Sequence, residues 1–122
     1  MITIDEIRDL ALSFPEAIEE PHFEKVSFRV KKKIFATYDS ALKRLCVKLS
    51  EVDQSVFCDK DRMVVYPVPN SWGKQGWTLI ELKKVHEDLF RDALTTAYCS
   101  VAPPRLADQV RPKKAKKQGH PL

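Results

Sequence analysis

Three short clusters in this chain could do chemistry, and each suits contact with a polyanion or a flat ring. Arg29, Lys31, Lys32 and Lys33 gather four cations within five positions. Ammonium and guanidinium groups of this kind contact phosphate oxygens, giving affinity and salt dependence without reading sequence. Trp72-Gly73-Lys74-Gln75-Gly76-Trp77 holds both tryptophans and two of the three glycines. Gly73 and Gly76 shape a turn there, because glycine takes positive φ at no steric cost. Trp72 could offer a stacking platform for a base, and Lys74 could reach a phosphate. Trp77 opens a strand-like run and reads as mainly structural, with its ring in the core. The third cluster is His22-Phe23, held by Pro21. In one reading the imidazole and the phenyl ring stack on a ligand or base. In the other, Phe23 plugs the core and His22 bonds a backbone carbonyl. Phe23 is accordingly read as a structural residue and His22 as a contact candidate.

Other chemistries lack a constellation. Cys46, Cys58 and Cys99 are odd in number and form no Cys-x-x-Cys pair, which leaves neither a zinc knuckle nor a thioredoxin-type motif. They read as reduced thiols packed as small hydrophobes. His86 and His120 lie far from His22 in sequence and form no His-x-x-x-His pair, so no metal or cofactor is expected. The Gly-x-x-Gly of the tryptophan cluster lacks the Gly-Lys-Ser/Thr ending of a phosphate-binding loop and precedes a strand rather than a helix. Ser71 and Ser100 have no nucleophile-elbow context. The expectation is a protein that is not an enzyme.

The net charge of +4 is unevenly placed. Residues 107–122 contain Arg111, Lys113, Lys114, Lys116 and Lys117 against Asp108 alone, so residues 1–106 are formally neutral. This divides the chain into a body, 1–106, and a basic tail, 107–122, which has little to bury and is expected to be disordered. Lys113, Lys114, Lys116 and Lys117 are the tail's candidates for phosphate contact. The body's length suits a single core. No apolar run approaches the roughly 20 residues of a membrane span. Acidic residues near Met1, with no basic stretch, do not resemble a secretory signal, and a cytoplasmic location is the expectation.

The elements that must position these clusters follow from hydrophobic periodicity. Residues 3–14 predict a helix, opened by the capping-box pair Thr3 and Glu6 and stopped by Pro15. Residues 15–25 read as a connector. Alternation at Val26, Phe28 and Val30 predicts a strand, the lysine run a turn, 34–38 a second strand and 45–49 a third. Ser50 caps a second helix with Val52, Val56 and Phe57 on its apolar face. Residues 63–66 and 77–82 are the fourth and fifth strands, joined by a loop that contains the tryptophan cluster. Residues 86–101 form the last helix, stopped by Pro103-Pro104. The expected architecture is a two-layer α+β domain, α-β-β-β-α-β-β-α, whose five-stranded antiparallel sheet packs against helices and leaves a face open.

Several segments in this order resemble the MmcQ/YjbR family: Glu20-Pro21-His22-Phe23, Ser27-Phe28-Arg29-Val30, Lys33-Ile34-Phe35-Ala36, the stretch from Pro69 to Trp77 with its Trp-Gly-x-x-Gly-Trp core, and Val101-Ala102-Pro103-Pro104-Arg105-Leu106. The resemblance covers residues 3–106. It implies a fold like that of type III secretion chaperones and frataxin-like proteins, and a proposed role in binding DNA through a double-wing arrangement of β-hairpins. It supplies no catalytic residues. One departure is the turn Lys31-Lys32-Lys33, where family members often have glycine or asparagine. The expectation is thus a DNA-binding protein of low sequence specificity. The alternatives are a protein-binding or chaperone-like module, or a homodimer, using the open sheet face, and a small-ligand site near His22 and Trp72.

Overall fold

The structure, a computed structural model, describes residues 1–111. Eleven elements follow one another: α1 (Ile4–Ala11), β1 (Ala17–His22), β2 (Lys25–Val30), β3 (Lys33–Asp39), β4 (Arg44–Lys48), α2 (Glu51–Lys60), β5 (Val65–Pro67), α3 (Ser71–Lys74), β6 (Trp77–Glu81), α4 (Glu87–Val101) and α5 (Pro104–Ala107). The strands form one antiparallel sheet in the order β1-β2-β3-β4-β6-β5.

The sheet has six strands rather than the expected five. The additional strand, β1, lies in the segment read as a connector. Its sequence, Ala-Ile-Glu-Glu-Pro-His, hides the alternation of a half-buried strand. Such a composition is tolerated because β1 is an edge strand, where proline need not donate to a neighbour. β1 is held by pairing with β2 from Ala17↔Val30 to His22↔Lys25. A two-pronged ion pair from its Glu19 to Arg8 of α1, at 2.9 and 3.0 Å, adds to this.

Side chains alternate between the two faces of the sheet, and residues opposite one another share a face. The inner face carries Phe28, Val30, Ala36, Tyr38, Leu45, Val47 and Ile80, all buried. Against it lie Ile7, Leu10 and Ala11 of α1 and Phe90, Ala93, Leu94, Ala97 and Tyr98 of α4, also buried. Phe14, Phe35 and Tyr98 form an aromatic knot, with Phe14 and Tyr98 centroids 4.7 Å apart. The Tyr98 hydroxyl donates to the Pro15 carbonyl at 2.6 Å, tying the last long helix to the end of the first.

Two expectations about helices change. Val52 and Val56 of α2 are 72% and 51% exposed, and the helix instead buries Phe57 and Cys58. α2 packs chiefly on the short β5 at the sheet's margin, where one turn's worth of contact suffices. The body also continues past residue 106. Pro104 starts α5, Leu106 and Ala107 are buried, and Val110 packs against the core.

Candidate functional site

The face of the sheet away from α1 and α4, with its rim, is where five of the seven contact candidates among the described residues meet: His22, Arg29, Lys32, Lys33 and Trp72. Cross-strand pairing places His22 beside Lys25, Ser27 beside Thr37, Arg29 beside Ile34, Thr37 beside Cys46, Cys46 beside Leu79 and Lys48 beside Trp77. A β-bulge between Phe28 and Arg29 lets Phe35 enter the core while Ile34 and Thr37 stay on the open face. Six cations belong to this surface: Lys25, Arg29, Arg44 and Lys48 from the strands, with Lys32 and Lys33 at its rim. Glu20, Asp39 and Glu81 offset part of that charge. Lys25 lies 3.9 Å from Asp39, and Arg29 lies 3.6 Å from Glu20 while donating to Ser27 Oγ at 3.0 Å.

Two hollows adjoin this face. One, of about 520 Å³, lies at the strand ends beside the C-terminal end of α4; it is walled by Arg29, Lys32, Lys33, Lys48, Ile34 and Trp77, with Ser100 and Val101 of α4 also in its lining. The other, of about 500 Å³, is walled by His22, Lys25, Arg44, Trp72, Trp77 and Leu79, with Thr37 and Cys46 in its lining. Ile34 and Trp77 line both hollows. The cationic and aromatic patches are therefore neighbours on one surface.

The lysine turn is a two-residue hairpin loop. Val30 pairs with Lys33, and both residues between them have positive φ, 51° at Lys31 and 70° at Lys32. That is the backbone pattern of a type I′ turn, which asparagine and glycine favour. Each left-handed lysine costs about 1–2 kcal/mol relative to a relaxed conformation. The two side chains diverge. Lys31 bonds Glu16 at 2.7 Å, and Glu16 also lies 3.6 Å from Arg105 of α5. This Lys31 partner, more than any other, holds the Glu16 carboxyl below its ordinary range. Lys32 instead lines the cationic hollow. Of the three lysines, Lys31 is thus a tether, while Lys32 and Lys33 line the cationic hollow.

The tryptophan segment differs from the expected loop. Ser71–Lys74 is a single helical turn, capped by Asn70, whose side chain accepts from the Trp72 N–H at 2.8 Å. Gly73 is buried in it, and a Cβ there would meet the Val68 carbonyl oxygen at 2.0 Å. Gly76 follows at φ 103°, and a Cβ there would meet the Leu49 carbonyl oxygen at 1.8 Å. Gln54 of α2 pins the segment by donating to the Gly73 carbonyl at 2.9 Å and to Thr78 Oγ1 at 3.1 Å. Lys48 Nζ donates to the Gln75 carbonyl at 2.6 Å. The sequence gives no sign of this role for Gln54, since a glutamine in an exposed-looking helix does not reveal its partners. Trp72 is 56% exposed on the rim of its hollow. Trp77 does start a strand, but its ring is half-buried on the open face rather than in the core. Its pairing with Lys48 puts it on the outward side of the alternation. Lys74 is exposed and lines neither hollow.

Phe23 does not plug the core. It sits in the two-residue turn between β1 and β2 at φ 61°, and it is 93% exposed. His22, in the last position of β1, lines the aromatic hollow and meets the Phe23 ring edge-on at 4.9 Å. The tail candidates Lys113, Lys114, Lys116 and Lys117 lie outside the described residues.

The titratable groups here are not arranged as nucleophiles. Burial pushes the Cys46 thiol up to about 11, so it is protonated at neutral pH. Burial raises Cys58 and Cys99 too. Tyr66 donates to Glu81 and accepts from Arg44 at 3.4 Å, an exchange that raises the Arg44 guanidinium. Arg44 Nε is buried without a hydrogen-bond partner among the described residues, an unmet donor beneath the open face. Among the described residues, no three His, Cys, Asp or Glu side chains gather to hold a metal, and no helix is long and apolar enough to cross a membrane.

A family model described as YjbR matches residues 12–100, which span β1 through nearly all of α4. The chain belongs to the YjbR family. The crystal structure of Deinococcus radiodurans protein DR2400, described with the domain DUF419, superposes with a TM-score of 0.72. The likeness covers 99% of this YjbR chain and 91% of that one at 20% identity, and is a likeness of fold. No curated protein matches the chain.

Proposed function

We propose that this YjbR protein binds nucleic acid across the open face of its sheet, holding phosphates with Arg29, Lys32, Lys33 and Lys48 and flat bases near His22, Trp72 and Trp77. The observation that carries this reading is the shared wall: Ile34 and Trp77 line both hollows, so a chain of alternating charge and ring would meet matching groups in sequence. Phosphate contacts supply most of the affinity and little base choice. DNA is the partner the reading favours, with low sequence specificity. Lys74 and the basic tail, Lys113 to Lys117, would add contacts outside the two hollows. The proposed wing is the β2–β3 hairpin alone, since the tryptophan segment is a helical turn.

Fluorescence anisotropy of a labelled oligonucleotide at low salt tests the reading. Four phosphate contacts on a single strand give a slope of about −3 in log K against log salt. The K32E/K33E double variant should weaken binding at least about tenfold and flatten that slope by about 1.4. Binding that is insensitive to both salt and this charge reversal would remove the open face from the interaction.

A second reading uses the hollow of about 500 Å³ alone. Its His22, Trp72, Trp77, Lys25 and Arg44 walls suit a small anionic aromatic molecule, which would raise the melting temperature in a thermal-shift screen. A protein partner or second copy on this face is less well matched, because cations interrupt its apolar positions at Lys25, Arg44 and Lys48.

A further inference from the structure

We infer that Phe23 is a base-stacking tip, and that the nucleic acid taken by the open face is single-stranded; this rests on the function proposed above. Phe23 combines two unfavourable features that no contact among the described residues offsets. Its ring is 93% exposed, the most of any large apolar side chain described. Its backbone, at φ 61°, occupies the left-handed region that a phenylalanine disfavours and glycine takes freely. The turn contains only Phe23 and Glu24, between the paired His22 and Lys25, so the ring projects from the end of the hairpin. Its one aromatic neighbour among the described residues is His22, edge-on at 4.9 Å, and His22 itself lines the aromatic hollow. The exposed ring thus stands at the margin of the proposed site.

β2 connects this tip to the cationic turn. Lys25 and Arg29 lie along its outer side on either side of the buried Ser27, and Lys32 waits at the other end. Six residues of strand set the two tips about 20 Å apart. A ring at one end, cations along the path and two lysines at the far end fit a strand whose backbone follows β2 and whose terminal base lies on Phe23. Phosphates alone would serve a duplex equally well. The ring decides between the two, because a duplex keeps its base faces inside the stack, whereas an unpaired base offers one.

The test compares a labelled oligothymidylate of about 12 nucleotides, within the usual site range of single-strand binders, with a duplex of the same length. Both are titrated with the full chain. The wild type should prefer the single strand. F23A should lose about tenfold in single-strand affinity, in line with the loss of one base–aromatic stack, with duplex binding and the salt slope unchanged. F23Y, which keeps the ring, should restore the affinity. F23G should lose affinity as F23A does and yet melt a few degrees higher, because it relieves the backbone. A purely structural Phe23 would not give these opposite signs. If K32E/K33E weakens binding while F23A retains wild-type affinity, the inference fails and the proposed function stands. If the wild type binds neither oligonucleotide, both fail. Phe23-dependent binding to anionic vesicles without a preference for the single strand would also overturn it, assigning the ring to a lipid surface.

Discussion

Of the places where this chain takes a left-handed backbone, Gly76 and the lysine turn are filled in different ways. At Gly76, φ 103°, the Leu49 carbonyl oxygen would sit 1.8 Å from any Cβ. At Lys31 and Lys32, φ 51° and 70°, the turn projects at the end of a hairpin, and both residues are exposed. The first position admits only glycine, for reasons of both conformation and space. The second would suit glycine or asparagine better than lysine, yet two lysines occupy it. Glycine at Gly76 is explained by packing alone. Lysine at Lys31 and Lys32 is not, and the side chains account for it: one is tethered to Glu16 and the other faces the cationic hollow. Strain retained where relief is sterically simple is a reason to test these side chains for a role beyond stability.

The largest effect should come from breaking the first member of the pair. G76A would combine an unfavourable φ with a clash against backbone, costing about 3 kcal/mol or more by the sum of those effects. Chemical denaturation should show a large fall in midpoint, and a near-neutral G76A would mean that the approach of Leu49 is not fixed. The turn should respond in the opposite direction. K32G is expected to stabilise by about 0.5–1 kcal/mol, since relief of the left-handed strain exceeds the added freedom of the unfolded chain, while weakening oligonucleotide binding. K31G should gain less, because it also gives up the Glu16 pair. Equal gains at the two lysines would erase the distinction between tether and contact.

The smallest effect concerns that tether. Lys31 holds the Glu16 carboxyl below its ordinary pKa of 4.5. The folded state therefore binds that proton less readily than the unfolded chain does. The stability contributed by the pair is present above about pH 4.5 and is lost as the pH falls through the lowered folded value. E16Q should show a correspondingly flatter dependence of melting temperature on pH below 4.5. Both groups are about half exposed, so the difference should be small and should shrink further in high salt.

Much of this was legible in the sequence because it depends on local pattern. Thr3 and Glu6 form the capping box that their spacing predicts. The alternations at 26–30, 34–38 and 45–49 are strands, and the stripe from Leu89 to Val101 is a helix. β1 was illegible because an edge strand with Pro21 and two glutamates carries no period-two signal. Trp77 was misplaced for a related reason. The periodicity identifies its strand but leaves open which of the two faces the first residue takes, and that is fixed by its pairing with Lys48. Phe23 reversed its expected environment because hydrophobicity alone argues for burial, whereas the hairpin register puts this residue in the turn. The gathering of His22, Trp72 and Lys32 on one surface depends on strand order. No short-range pattern contains it.

The margins of the sheet bear on how any partner can approach. One outer strand, β1, includes Pro21 and the charged Glu19 and Glu20; the other, β5, is three residues long and ends at Pro67. Proline, charge and brevity are the devices by which sheets refuse to lengthen sideways. Recruitment by adding a strand to this sheet is therefore disfavoured at both ends, and so is the sideways accretion of copies that leads to fibres. The direction left for recognition is perpendicular to the strands' plane, so what this fold meets it should meet with side chains rather than with backbone.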